Sequence, residues 1–251
     1  MPNQFLFALL LSSIAGCSTT IGAILACLVK RPSARMLSLG LGFSAGVMLS
    51  ISFLEMLPEA LELADLLATY TAFFSGMFIM AGLDLFVPHV ENELARSDFD
   101  PELIRTGKLT ALGVSIHNFP EGIITFLGTI VDLKIGLLLM LAIALHNIPE
   151  GMSVSFPIFY ATKDRKKAFM LSFLSGLAEP LGALVAGVIL FQFLNDTVLG
   201  IGLSLVAGIM IFLSLHELIP VAHKYDDSRR IASIGVIAGI IIMMITLPLF
   251  A

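Results

Sequence analysis

The sequence predicts an all-α, polytopic membrane protein: a single bundle of eight transmembrane helices. Three observations predict it. Of 251 residues, 57% are hydrophobic and 13% charged, and mean hydropathy is +0.98, whereas soluble domains stand near half apolar and a quarter charged. The apolar residues fall into runs of about 20, the length that crosses roughly 30 Å of hydrocarbon. No stretch alternates long enough to make a barrel strand, which leaves helices to satisfy the backbone in lipid. The net charge of −5 excludes little, because the charges are confined to short loops.

The first run covers about 4–29. Its "LLLSSIAGC" looks like a lipoprotein cleavage box ending at Cys17. No Lys or Arg precedes it, however, and the apolar run continues to Val29, so a retained helix is expected rather than a removed signal. Cys17 and Cys27 stand ten residues apart, about 15 Å along a helix axis, too far to pair; both are expected to be small buried side chains. The second and third runs cover about 37–62 and 67–88. The fourth (about 108–130) and fifth (about 135–160) are each interrupted by nearly the same hexapeptide, HNFPEG at His117–Gly122 and HNIPEG at His146–Gly151. The sixth (about 167–193) carries GLAEPLG around Glu179. The seventh covers about 197–221 and the eighth 231–250. Residues 1–251 thus form one transmembrane domain.

Loop charges support this count. Lys30, Arg31 and Arg35 lie between runs one and two, and Arg96, Arg105 and Lys108 between three and four. Lys163, Arg165, Lys166 and Lys167 lie between five and six, and Lys224, Arg229 and Arg230 between seven and eight. Only Lys134 falls on the other side. By the positive-inside rule both termini face away from the cytoplasm.

The second run reads AGVMLSISFLEMLP (Ala45–Pro58) and the seventh AGIMIFLSLHELIP (Ala207–Pro220). Without gaps they share Ala, Gly, Met, Ser, Glu and Pro at equal spacing, and they run in opposite directions. Helices 1–3 and 6–8 are therefore expected to be inverted repeats around a central helix 4/5 pair, a common transporter plan with its site at the midplane. Gly42/Gly46 and Gly235/Gly239 are GxxxG patterns suited to close helix contact.

Six acids fall inside the runs: Glu55, Asp84, Glu121, Glu150, Glu179 and Glu217. His117, His146, His216, Asn118 and Asn147 join them, and no Lys or Arg does. An ionised side chain at a helix centre costs about 2.5–3.5 kcal/mol or more, so either protons or a visiting cation must neutralise these carboxylates. His117 and Glu121 are i and i+4, on one helix face, and Asn118 and Glu121 are i and i+3; His146, Asn147 and Glu150 repeat the pattern. Pro120 and Pro149 leave the carbonyls of Ile116 and Leu145 without their usual donors and are expected to kink the helices. Imidazole suits zinc and iron while carboxylate and amide oxygen suit harder ions, so the mixture points to a borderline divalent metal. Glu179 is the natural third contributor. A proton relay along the same Glu and His chain is the alternative reading. A metallohydrolase would show H-E-x-x-H, and an ATP-driven pump a Walker glycine loop, neither of which is present.

These motifs resemble the ZIP family of metal-ion transporters, most closely its bacterial zinc-uptake branch, over essentially the full length. The resemblance implies uptake of divalent metal ions (zinc, and also iron, manganese, cobalt or cadmium) into the cytoplasm across the inner cell membrane. It implies a binuclear site, with His117, Glu121, His146 and Glu150 lining one position. Asn118, Glu121, Asn147, Glu150 and Glu179 line the other, and the two HNxPEG glutamates bridge. Met48 corresponds to a methionine near the first position, and Asp84, His216 and Glu217 to a cytoplasmic-side relay. A homodimer is implied, together with the lipid bilayer and the metal ions as the other partners; no nucleic acid and no catalytic cofactor are implied. Many relatives have a long His-rich loop between helices 3 and 4; here Val90–Lys108 is short and acidic, with only His89 nearby, so a metal-sensing loop is not expected. Entry near Glu55 and Glu59 and exit past His216, Glu217 and Asp84 complete the expected path.

Overall fold

The structure is a computed structural model that describes residues 2–29, 33–86, 100–190, 195–226 and 230–249; His89 and most of the acidic loop lie outside them. Every regular element among the described residues is helical. The runs are α1 (Pro2–Leu28), α2 (Ala34–Leu63), α3 (Leu66–Phe86), α4 (Pro101–Val131), α5 (Leu133–Thr162), α6 (Arg165–Val188), α7 (Asp196–Lys224) and α8 (Arg230–Thr246). α1, α2, α3, α5, α6 and α7 are long and apolar enough to cross a membrane. α4 is continuous but its polar motif makes it less apolar than these six, and α8 has 17 residues.

Side-chain caps set the boundaries. Ser33, Asp132, Asp164 and Asn195 each accept a backbone N–H from the first turn of the helix that follows, satisfying donors that have no partner within the helix. Asp100 does the same for α4, accepting from Glu102 N at 3.2 Å and Leu103 N at 3.4 Å, with Pro101 at the first helical position. Proline is well placed there because that N–H has no partner in any case. α4 therefore starts seven residues before the expected 108. Arg105 and Lys108, expected in a loop, belong to this helix, so the expectation that no Lys or Arg accompanies the buried acids fails at Arg105.

α2 and α7 share an irregularity. Just before Pro58 and Pro220 each opens into a π-turn, Ser52–Met56 and Leu213–Leu218. Leu57 N–H donates to Ser52 O and Ile219 N–H to Ser214 O, five residues back instead of four. A proline cannot supply the next N–H, and the wide turn is the local solution. Ser52 and Ser214 also bond alike, each hydroxyl donating to the methionine carbonyl one turn earlier (Met48 and Met210, both 2.8 Å). Glu55 and Glu217 occupy corresponding places in these turns.

Glycines bring the helices together. A Cβ on Gly42 or Gly46 would lie 2.4 or 2.2 Å from the Ala232 or Val236 carbonyl of α8, and one on Gly239 would lie 2.3 Å from the Phe43 carbonyl of α2; the two GxxxG patterns face each other. Gly76 of α3 and Gly208 of α7 press in the same way on the Leu205 and Phe73 carbonyls. α4 and α5 lie side by side with α1 and α6 against them. Phe78, Leu85, Phe86 and Leu67 are three-quarters or more exposed, which suits a surface solvated by lipid rather than water. Cys17 is also exposed and Cys27 half-buried, so neither is the fully buried residue expected of it.

Candidate functional site

α4 and α5 run unbroken through Pro120 and Pro149 and meet along their polar faces. His117, Asn118, Asn147, Glu150 and Glu179 are completely buried, and Glu121 and His146 nearly so. The pairing crosses between helices. His117 Nε2 of α4 lies 2.9 Å from Glu150 Oε2 of α5, and His146 Nε2 of α5 lies 3.3 Å from Glu121 Oε1 of α4. Neither ring N–H is aligned for a hydrogen bond, so these are close approaches of charge and dipole rather than directed bonds.

α6 delivers Glu179 through a break. The helix pauses at Leu177 and resumes at Ala178, with Pro180 unable to bond back to Gly176. Asn147 Nδ2 donates to Glu179 Oε2 at 2.8 Å and to the Ala15 carbonyl of α1 at 3.0 Å, which turns its carbonyl oxygen away from both. That leaves a set of oxygens with no hydrogen-bond donor from the protein: Asn118 Oδ1, Glu121 Oε2, Asn147 Oδ1, both oxygens of Glu150, and Glu179 Oε1. Buried acceptors without donors are costly. A cluster of them on three adjoining helices is what a dication needs.

The last residue of each hexapeptide has a packing role. A Cβ at Gly122 would stand 1.9 Å from the Glu179 carbonyl, and one at Gly151 would stand 1.8 Å from the Thr19 carbonyl. The glycines let α6 and α1 close onto the motif, and Ser12 and Ser172 donate from those helices to the Gly122 and Gly151 carbonyls at 3.3 and 3.4 Å. Met48 is fully buried. It shares a face of α2 with Ser44 one turn earlier, whose hydroxyl donates to the Pro149 carbonyl at 2.6 Å, so this face turns toward the second hexapeptide. A cavity of about 650 Å³ opens between α2, α5 and the end of the chain. Its lining is apolar except for Glu55, a half-buried carboxylate that feels the charges of His146 and Glu121; Glu59 is exposed.

The other predicted residues gather elsewhere. Asp84, His216 and Glu217 bring one ligand atom each within 4.8 Å of one another, and among the described residues they are the one trio of His, Cys, Asp or Glu so closely placed. His216 is half-exposed while both acids are buried. Two of their neighbours are not singled out by the sequence pattern. Arg105 binds both acids, and Thr106 Oγ1 donates to Glu217 Oε2 at 3.0 Å. The Asp-Pro pair at Asp100–Pro101 is the signal that could draw them into a helix. Beside them Tyr225 O–H donates to Asp100 and Lys224 pairs with Glu102. Burial and that bond to a carboxylate hold the Tyr225 phenol above its ordinary pKa of about 10, so it stays a donor.

Carboxylates and imidazoles sealed among membrane-capable helices define an ion-handling, multi-pass membrane protein. Comparison with known proteins makes this specific. A family model described as "ZIP Zinc transporter" matches residues 92–247. Proteins named zinc transporter ZupT are similar along the whole chain: that of Oceanobacillus iheyensis is 47% identical over 99% of this chain and 100% of its own length. That of Clostridium perfringens is 45% identical over 99% and 97%, and that of Campylobacter jejuni 44% over 98% and 97%. The chain belongs to the ZIP zinc-transporter family, a family of transporters rather than enzymes.

Proposed function

We propose that this chain takes up divalent transition-metal ions into the cytoplasm across the cell membrane, zinc first and iron, manganese, cobalt or cadmium as further substrates, through a binuclear site between α4, α5 and α6. The carrying observation is the set of buried, donor-free oxygens on Asn118, Glu121, Asn147, Glu150 and Glu179. In this assignment, His117, Glu121, His146 and Glu150 hold one ion, and Asn118, Glu121, Asn147, Glu150 and Glu179 the other, with Met48 flanking the first. The names of the relatives favour zinc.

An ion enters from the cavity at Glu55 and exchanges water for carboxylate. It replaces the imidazole N–H groups as partner of Glu121 and Glu150, and the displaced protons leave, since metal ligands must be deprotonated. Two dications carry four charges against three carboxylates, so the doubly filled site repels its contents and favours onward movement to Asp84, His216 and Glu217.

α4 and α8 span the membrane with the six more apolar helices, both termini lie outside the cytoplasm, and helices 1–3 and 6–8 are inverted repeats. Support for the repeat comes from correspondences in packing. The π-turns before Pro58 and Pro220 match. Gly22 on the Ile148 carbonyl matches Gly182 on that of Phe119, and the contacts of Gly151 with Thr19 match those of Gly122 with Glu179. α1 meets α5 as α6 meets α4. The chain acts as a homodimer.

The test is uptake of a series of divalent metals by proteoliposomes, paired with a proton-release assay. Zinc added to purified protein in weakly buffered detergent is expected to release protons in proportion to zinc bound. Uptake without zinc dependence, or zinc binding with no proton release, would count against the coordination described.

A further inference from the structure

Arg105 holds the cluster of Asp84, His216 and Glu217 in a way that metal cannot share. Its guanidinium lies between α3 and α7, with Nη1 2.9 Å from Glu217 Oε1. Nη2 contacts Asp84 Oδ1 and donates to the Asp84 backbone carbonyl at 3.3 Å. Thr106, the next residue, occupies Glu217 Oε2, and His216 Nε2 sits 3.5 Å from Asp84 Oδ2. Asp84 Oδ1 and both oxygens of Glu217 are therefore engaged by Arg105 and Thr106.

A dication held by imidazole and carboxylate needs bonds of about 2.0–2.2 Å. The three ligand atoms are close enough to reach such a centre after small rotations, but only if the guanidinium withdraws. Arginine cannot withdraw by losing its proton, because its charge is permanent. It must swing out as a tethered cation, competing with the cargo for the same two acids at every turnover. Its side chain is about one-tenth exposed, so the swing has an opening to move into.

We propose that Arg105 is a positioning residue for metal release: a built-in counter-cation that occupies the Asp84–Glu217 pair between ions, lowers the dwell of metal there, and ties the ends of α3, α4 and α7 until a dication displaces it. Ion conduction needs sites weak enough to leave, and Arg105 supplies that weakness. This inference rests on the reading that metal leaves by way of Asp84, His216 and Glu217.

Two measurements test it. In a Glu121→Gln/Glu150→Gln background, which removes the central site, purified protein is dialysed against zinc and its bound metal counted. With Arg105 intact no tightly held zinc is expected, whereas Arg105→Gln should retain about one ion per chain, lost again on adding Asp84→Asn. In the otherwise native protein, Arg105→Gln should lower both the half-saturating zinc concentration and the maximal uptake rate by about tenfold. Arg105→Lys should largely restore both, and a merely structural role would reduce rate alone. Should Arg105→Gln fail to fold, native protein treated with phenylglyoxal decides: modification of Arg105, read by peptide mass spectrometry, should rise at least fivefold with zinc. No retained ion in the folded variant, or labelling indifferent to zinc, overturns the proposal. Zinc uptake persisting in Glu121→Gln/Glu150→Gln overturns instead the central-site reading and leaves the Arg105 result to its own measurements.

Discussion

Glu121→Gln combined with Glu150→Gln is expected to reduce initial zinc uptake in proteoliposomes at least about 100-fold, to the level of protein-free vesicles, while the purified protein remains folded. Replacing a group one step removed from a metal typically costs 10–100-fold in affinity or activity. Here both residues proposed to bridge the two ions are changed at once. Glutamine keeps the size of each side chain and removes its charge. The variant also relieves buried acceptors that lack donors, so its melting temperature should stay level or rise, which separates lost coordination from lost structure. Uptake within tenfold of native would refute the site.

The second large effect falls on packing. Gly122→Ala and Gly151→Ala are each expected to destabilise the protein by about 2–3 kcal/mol, towards the upper end for overpacked cores. That corresponds to a melting temperature lower by roughly 4–12 °C for a chain of this size. The reason is that the new methyl would meet a helix carbonyl at under 2 Å, and a hydrogen-bonded backbone cannot rotate aside as a side chain can. Gly82→Ala and Gly202→Ala are the controls, since beyond the local helix backbone no atom lies within 4 Å of a Cβ at either. Alanine is the better helix former by about 1 kcal/mol, so these two should be neutral or stabilising. If all four behave alike, the close approach of α1 and α6 to the hexapeptides is not what fixes them.

The hexapeptides illustrate how much of the site is legible in the sequence. Histidine, asparagine and glutamate at helical spacing, twice, disclose one face on each of two helices, because i, i+3 and i+4 geometry is local. Which imidazole meets which glutamate is not local; the crossing of His117 to Glu150 and His146 to Glu121 depends on how α4 and α5 lie together. The role of Gly122 and Gly151 is likewise hidden, since it belongs to carbonyls of Glu179 and Thr19 far away in the chain. Arg105 escapes for another reason. An apolarity threshold places a helix end where hydrocarbon begins, whereas Asp100 and Pro101 start α4 by hydrogen bonding. The GxxxG pairs are legible as sticky surfaces, and their mutual contact requires the fold.

If ions enter past Glu55, as proposed, the cavity there has a consequence for which ions pass. One carboxylate amid hydrocarbon side chains can shed few waters from an arriving ion, so an ion must give up the rest of its hydration readily to go deeper. Magnesium dehydrates reluctantly and demands near-octahedral oxygen, and it should stall at this threshold before ever meeting an imidazole. Selection against magnesium arriving from outside would then be exerted by dryness at the mouth, ahead of any ligand preference at the centre. A large excess of magnesium should leave zinc uptake unchanged, and competition from it would show that the mouth admits hydrated ions.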